Sequence, residues 1–136
     1  MSNETTQKSI LVIEDEPALQ EAIKMKLEKD GISVIAFSTA EEGAEFLKKE
    51  KPDLIWLDIL LPGMNGLEFL KVIREDLNLK DLPVVVVSVS SSQEKIKKAF
   101  DLNIADFIVK SEGDLNSIIK RVEEHLSKIS KSNLGA

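Results

Sequence analysis

A chain of 136 residues, 43% of them hydrophobic, is the size of one domain and apolar enough to build a sizeable core. Its 24 acidic residues against 18 basic give a net charge of -6, which works against nonspecific attraction to nucleic acid or anionic membranes. The absence of cysteine excludes disulfides and thiolate chemistry, and no apolar stretch approaches the ~20 residues of a membrane span.

In chain order, the segment 1–7 is polar, lacks the apolar core of a signal peptide and reads as a flexible N-terminus, so a cytoplasmic protein is expected. Its Asn3-Glu4-Thr5 sequon is read as chance, because nothing else suggests a secretory route. Then short β-branched runs alternate with longer segments whose apolar residues fall three or four apart. SILVI (9 to 13) predicts a strand, and residues 17 to 29 a helix that Pro17 opens and Gly31 stops. SVIAF (33 to 37) precedes a helix over 39 to 49, DLIWL (53 to 57) a helix over 64 to 76, and PVVVV (83 to 87) a helix over 92 to 102. ADFIV (105 to 109) precedes the helix 114 to 129, where Leu115, Ile118, Ile119, Val122, Leu126 and Ile129 line one face. The remaining residues, 130–136, read as a flexible tail, leaving 8–129 as the folded domain.

Strands this continuously apolar are covered on both faces, the condition of a parallel sheet flanked by helices. Right-handed crossovers then predict an α/β fold: a doubly wound, flavodoxin-like (βα)5 with a five-stranded parallel sheet in the order 2-1-3-4-5. In such sheets sites form beyond the strands' carboxyl ends where the order reverses, here between strands 1 and 3. Strand 1 runs into Glu14-Asp15-Glu16, and strand 3 runs into Asp58. Any one such acid is ordinarily a solvated loop residue or a helix cap, and Glu16 is assigned there, beside the first helix.

Convergence changes the reading for Glu14, Asp15 and Asp58. Two carboxylates about 4 Å apart repel by roughly 4 kcal/mol at an effective dielectric of 20, a cost that a hard cation removes. Few protein ligands, with positions left for water or substrate, favour Mg2+ over Ca2+, and Mg2+ beside a carboxylate implies a phosphoryl group. Strand 4 ends at Ser88, a hydroxyl able to bond a phosphoryl oxygen, and strand 5 at Lys110, a cation able to neutralise one.

With these residues the chain resembles the receiver domains of bacterial two-component response regulators, over roughly residues 8 to 129. The stretches that carry the resemblance are ILVIEDEPAL, PDLIWLDILLPGMNGLEFL, LPVVVVSVS and ADFIVK, in the family's order and spacing. The resemblance implies that Asp58 is the phosphoacceptor, and that Asp15, Asp58 and the Leu60 backbone carbonyl bind Mg2+, for which Mn2+ substitutes. It implies that Glu14 acts through a metal-bound water, that Ser88 is the switch hydroxyl and Lys110 the phosphoryl-binding lysine. Phe107 would be the switch aromatic, turning from exposed to buried as Ser88 is drawn inward. The donor would be a sensor histidine kinase or phosphotransfer protein. The responding surface, made by the fourth helix, fifth strand and fifth helix, would meet a downstream protein or a second copy in a transient dimer. Such a module phosphorylates and dephosphorylates itself and is not a turnover enzyme.

Three positions depart from the family pattern. Ser111 follows Lys110 where proline is usual, so a cis peptide, at about 3 kcal/mol for a non-proline residue, is not expected. Val89 stands where the family has Ala or Gly and would crowd the phosphoryl pocket. Leu60 puts an apolar residue on the route of hydrolytic water, so Leu60 and Val89 together are expected to lengthen the phosphoryl lifetime.

Among rivals, a nucleotide-binding flavodoxin-like protein needs an amide-rich first loop, and Glu14-Asp15-Glu16 repels a bare anion. A dehalogenase-type phosphatase wants a second Asp two residues after the nucleophile, where Leu60 stands. A receiver-like adaptor that works without phosphorylation is kept as the alternative by Ser111 and Val89. His125 reads as a boundary residue of the last helix, Trp56 as core beside the sheet, and Lys95, Lys97 and Lys98 as a solvated helix face. No output domain is visible, so a stand-alone, chemotaxis-regulator-like receiver and one cut from a longer chain both remain open.

Overall fold

The computed structural model describes residues 7–90 and 92–129; the expected tail at 130–136, and all but Gln7 of the expected N-terminal segment, lie outside them. Among the described residues the order is β1 (Ser9–Ile13), α1 (Pro17–Lys29), β2 (Ser33–Phe37), α2 (Ala40–Leu47), β3 (Leu54–Leu57), α3 (Gly66–Arg74), β4 (Val84–Ser88), α4 (Gln93–Asp101), β5 (Asp106–Val109) and α5 (Leu115–Ser127). A single 3-10 turn, Lys110–Glu112, joins β5 to α5. The five strands form one sheet in the order β2-β1-β3-β4-β5, every neighbouring pair parallel. No helix among the described residues is long and apolar enough to cross a membrane.

The period-two alternation of the strands divides the core. Leu11, Ile13, Ile55, Leu57, Val84 and Val86 face one side, against Phe69, Leu70 and Ile73 of α3 and Ala99 of α4. Ile10, Val12, Leu54, Trp56, Val85 and Val87 face the other, against Ile23 and Leu27 of α1 and Ile118, Val122 and Leu126 of α5. Both faces of the central strands are therefore buried, which is why those strands read as unbroken apolar runs.

The helix starts differ from expectation for one physical reason. Thr39, Ser92 and Asp114, expected as first helical residues, instead cap the helices, their side-chain oxygens accepting from the backbone of Glu42, Lys95 and Ser117. Asn65 does the same for α3 in a capping box with Glu68, delaying that helix from 64 to 66. Gly31 ends α1 as expected, in the left-handed region at φ 85°. β4 runs one residue later than expected, since Pro83 has no N–H to give, and so Ser88 is its last residue.

Register decides where the chemistry emerges. Ile13 lies opposite Leu57, so the next residues, Glu14 and Asp58, leave adjacent strands side by side. Ser88 lies opposite Val109, which puts Lys110 one step beyond it at the same edge.

Candidate functional site

Asp58 follows the buried run of β3 and is itself only 4% exposed. Its backbone N–H donates to the Ile13 carbonyl at 3.1 Å, tying the turn after β3 to the end of β1. One carboxylate oxygen, Oδ1, accepts from the Leu60 N–H at 3.1 Å, while Oδ2 faces Lys110 Nζ at 3.4 Å. Gly66, the first residue of α3, allows the helix to press on this turn: a Cβ there would stand 2.6 Å from the Asp58 carbonyl oxygen and from the Ile59 Cα.

Glu14 is 1% exposed, whereas Asp15 beside it is exposed. The Glu14 carboxylate accepts from Lys110 Nζ at 2.8 Å through Oε1 and from the Glu16 N–H at 3.1 Å through Oε2. One ammonium thus bridges two buried carboxylates from two strands. Burial pushes the Glu14 and Asp58 carboxyls above their ordinary values, and the Lys110 ammonium offsets only part of that. Burial would lower the Lys110 ammonium, but the hydrogen bond to Glu14 and the charges of Asp58 and Glu14 outweigh it and hold it above its ordinary value.

One carboxylate oxygen from each of Glu14, Asp15 and Asp58 lies within 4.8 Å of the others, a set of hard oxygens close enough to share one cation. Even with Lys110 in place the buried pair is short of positive charge, so the donor set fits a hard divalent ion. Ser88 is fully buried at the end of β4, and its Oγ accepts from the Ser90 N–H at 3.3 Å.

Phe107 is buried at 9% exposure in the core on the α3–α4 side, the inward one of the two positions expected for it. Leu60 and Val89 are exposed, at 43% and 58%. No cis peptide occurs among the described residues, in line with Ser111 after Lys110. Trp56 is fully buried on the α1–α5 side, and its Nε1 has no hydrogen-bond partner among the described residues. Lys97 and Lys98 pair with Asp101 and Glu94 on the exposed face of α4, the solvated arrangement expected.

Three features escape the sequence. His125 is more than a boundary residue: its Nε2 lies 2.9 Å from Asp106 Oδ2, while Arg121 donates to both Asp106 oxygens at 2.8 Å. Burial alone would raise the Asp106 carboxyl, but these partners hold it below its ordinary value. Glu41, in the first turn of α2, accepts from the Met64 N–H at 2.9 Å and so clasps the loop after Asp58. Arg74 donates to three backbone carbonyls, those of Leu79, Leu102 and Asn103. Each contact joins residues whose spacing follows no period.

Residues 10–123 match the family model for the response regulator receiver domain. The phosphate regulon transcriptional regulatory protein PhoB of Klebsiella pneumoniae is 32% identical over 120 residues, covering 87% of this chain and 52% of PhoB. The chain therefore spans about half the length of the curated relatives it matches. The phosphorylated cyanobacterial phytochrome response regulator RcpA superposes with a TM-score of 0.82 at 31% identity, covering 90% of this chain and 96% of that one. The Mn2+-bound response regulator Rcp1 superposes with a TM-score of 0.79 at 26% identity, covering 90% and 97%. Fold, family model and relatives agree, and the chain belongs to the response regulator receiver domains, the phosphoacceptor modules of two-component signalling.

Proposed function

We propose that Asp58 is the phosphoacceptor and that the α4, β5 and α5 face reports its state to a partner. The observation that supports this best is a buried carboxylate at a strand end, with Lys110 Nζ at 3.4 Å and carboxylate oxygens of Glu14 and Asp15 within 4.8 Å. In this reading an Asp58 oxygen attacks the phosphorus of a kinase phosphohistidine in line. The P–N bond breaks with its electron pair on the imidazole, and an acyl phosphate forms on the Asp58 oxygen.

Asp15, Asp58 and the Leu60 carbonyl would hold Mg2+, or Mn2+ in its place, with Glu14 acting through a water. Bound there, the ion neutralises charge on the transferring group. The chain's own residues do the rest. Leu60 N–H orients the Asp58 carboxylate through Oδ1. Lys110, already facing Asp58, turns from two carboxylates to the phosphoryl oxygens and stabilises the charge that develops there. Ser88 donates a hydrogen bond from its hydroxyl to a phosphoryl oxygen and shifts with it. The β4–α4 loop and α4 follow, which biases the α4, β5 and α5 face between two arrangements. Phe107, inward in this structure, is the switch aromatic that would follow Ser88 between the two arrangements. The donor is a sensor histidine kinase or phosphotransfer protein, and the reader is a downstream protein or a second copy.

Incubation with acetyl phosphate and Mg2+, followed by intact-mass measurement, tests the reading. One phosphoryl group should add, and both EDTA and Asp58→Asn should abolish the gain. A gain that survives Asp58→Asn overturns the assignment. No gain from acetyl phosphate or from any sensor kinase favours the phosphorylation-independent adaptor.

A further inference from the structure

We propose that Arg74 pins the C-terminal end of α4, so that the helix answers the phosphorylation site by swinging from its N-terminal end. This rests on the reading of Asp58 and Ser88 above. Arg74 is the last residue of α3, and its guanidinium reaches across to the chain leaving α4. Nε donates to the Leu102 carbonyl at 2.8 Å, Nη2 to the Asn103 carbonyl at 3.2 Å and Nη1 to the Leu79 carbonyl at 3.0 Å. Leu102 is the C-cap of α4, and Asn103 turns the chain in the left-handed region at φ 63°.

The C-cap carbonyl of a helix has no partner inside it, so a rigid, permanently charged fork that takes it together with the carbonyl of the next residue fixes both position and direction of the exit. The third bond ties the same fork to the loop before β4. The C-terminal end of α4 is thereby fastened to α3 and to that loop.

The other end is held differently. Ser92 Oγ caps Lys95 N–H at 3.4 Å, Ser90 Oγ accepts from Ser92 N–H at 3.5 Å, and Ser88 Oγ accepts from Ser90 N–H at 3.3 Å. These are neutral bonds of 3.3–3.5 Å, near the limit of useful length, whereas those at the far end, at 2.8–3.2 Å, are charge-assisted. They also start at Ser88, the hydroxyl that the reading draws toward the phosphoryl group. Packing leans the same way: Ala99, one turn from the pinned end, is the one fully buried residue of α4, whereas Ile96 is only partly buried against the core and Gln93 and Glu94 are exposed. A displacement begun at Ser88 therefore meets less resistance at residues 92–95 than at 102–103, where the fork holds the chain.

Amide hydrogen exchange, with Mg2+ alone and with Mg2+ plus BeF3-, reads this directly. In the native chain BeF3- should change exchange over residues 93–97 by about tenfold and leave the Leu102 and Asn103 amides within about twofold. Arg74→Lys keeps the charge and loses the fork. Its Leu102 and Asn103 amides should exchange faster with or without BeF3-, and the BeF3- response should spread along all of α4. Its BeF3- affinity, followed by Trp56 fluorescence, should stay within about twofold of the native chain because no site residue is touched. An equal response at both ends of native α4, or an Arg74→Lys pattern like the native one, overturns the proposal. If the native chain shows no BeF3- response in fluorescence or exchange, the reading of Asp58 fails. The pin is then judged on Leu102 and Asn103 exchange in Arg74→Lys alone, where unchanged rates refute it.

Discussion

Replacing Lys110 with methionine keeps an apolar stem and removes the ammonium that bridges Glu14 and Asp58. Those carboxylates are 1% and 4% exposed, and their ligand oxygens lie within 4.8 Å. At that separation and an effective dielectric of 20 they repel by about 3.5 kcal/mol. The protein escapes by protonating one of them, which for a carboxyl of ordinary value 4.5 costs about 1.4 kcal/mol per pH unit above it. The escape therefore costs about 4 kcal/mol at pH 7.5 and about 1.4 kcal/mol at pH 5.5. The penalty is set by repulsion at the higher pH and by protonation at the lower. After relaxation we expect Lys110→Met to lose about 2–3 kcal/mol at pH 7.5 in EDTA, a drop in Tm on the order of 10 °C. The loss should be about half as large at pH 5.5.

The sign follows from linkage. Burial raises both carboxyls in the folded state, so between their ordinary values and the raised ones that state binds more protons than the unfolded chain, and stability falls as pH rises. Removing Lys110 raises both further and steepens that fall. In the native chain the raised Lys110 contributes stability at every pH below its ordinary 10.5, lost only above it. A divalent ion that binds the folded state alone stabilises it by about 2.7 kcal/mol at a concentration 100-fold above its Kd; the variant, with no ammonium offsetting its acids, should bind Mg2+ more tightly than the native chain, so saturating Mg2+ should narrow the deficit at pH 7.5. Thermal melts of native and variant chains at the two pH values, in EDTA and in Mg2+, decide the matter. A deficit that is the same at both pH values and indifferent to Mg2+ refutes the reasoning.

Leu60→Asn and Val89→Ala alter side chains that are 43% and 58% exposed, so each should move stability by less than about 0.5 kcal/mol. Each should nonetheless shorten the life of the aspartyl phosphate several-fold, as followed by phosphate release after a pulse of acetyl phosphate; unchanged release rates mean that neither residue slows hydrolysis. Gly66→Ala sets a Cβ 2.6 Å from backbone atoms of Asp58 and Ile59, which cannot yield as a flexible side chain would. It should cost roughly 1–3 kcal/mol in chemical denaturation and slow phosphorylation, because α3 must draw back from the acceptor turn. Native stability in that variant would show that the close approach does not fix the turn.

What the sequence carried, and what it did not, divides along a physical line. The strands were legible because sheet burial on both sides leaves an unbroken apolar run, and Leu54–Leu57 and Val84–Val87 are such runs. The sheet order follows from crossover handedness, and once the order is known a parallel register brings the carboxyl ends to one edge. Glu14, Asp58, Ser88 and Lys110 could be placed together for that reason, before any distance was known. Helix starts were misplaced by a residue or two because Thr39, Asn65, Ser92 and Asp114 look alike from the sequence whether they begin a helix or cap it; the cap geometry separates the two.

Side-chain contacts across long spacings left no such trace. Arg74 reaches Leu102 over 28 residues and Glu41 reaches Met64 over 23, the first ending on a carbonyl that any residue supplies and the second on an N–H that any residue but proline supplies. The partner carries no signature, so only the charged half can be noticed, and a lone charge on a helix reads as solvated. The same holds inside the site. Lys110, paired with Glu14 at 2.8 Å and Asp58 at 3.4 Å, already carries the positive charge for two acids, one just past the end of each of two neighbouring strands. A cation that is balanced in this way cannot turn toward a phosphoryl group without uncovering Glu14. The divalent ion that the reading places beside Asp15 and Asp58 would cover that charge in turn. On that reading, metal binding and the release of Lys110 would be coupled through Glu14, a carboxylate that burial keeps from being neutralised by water.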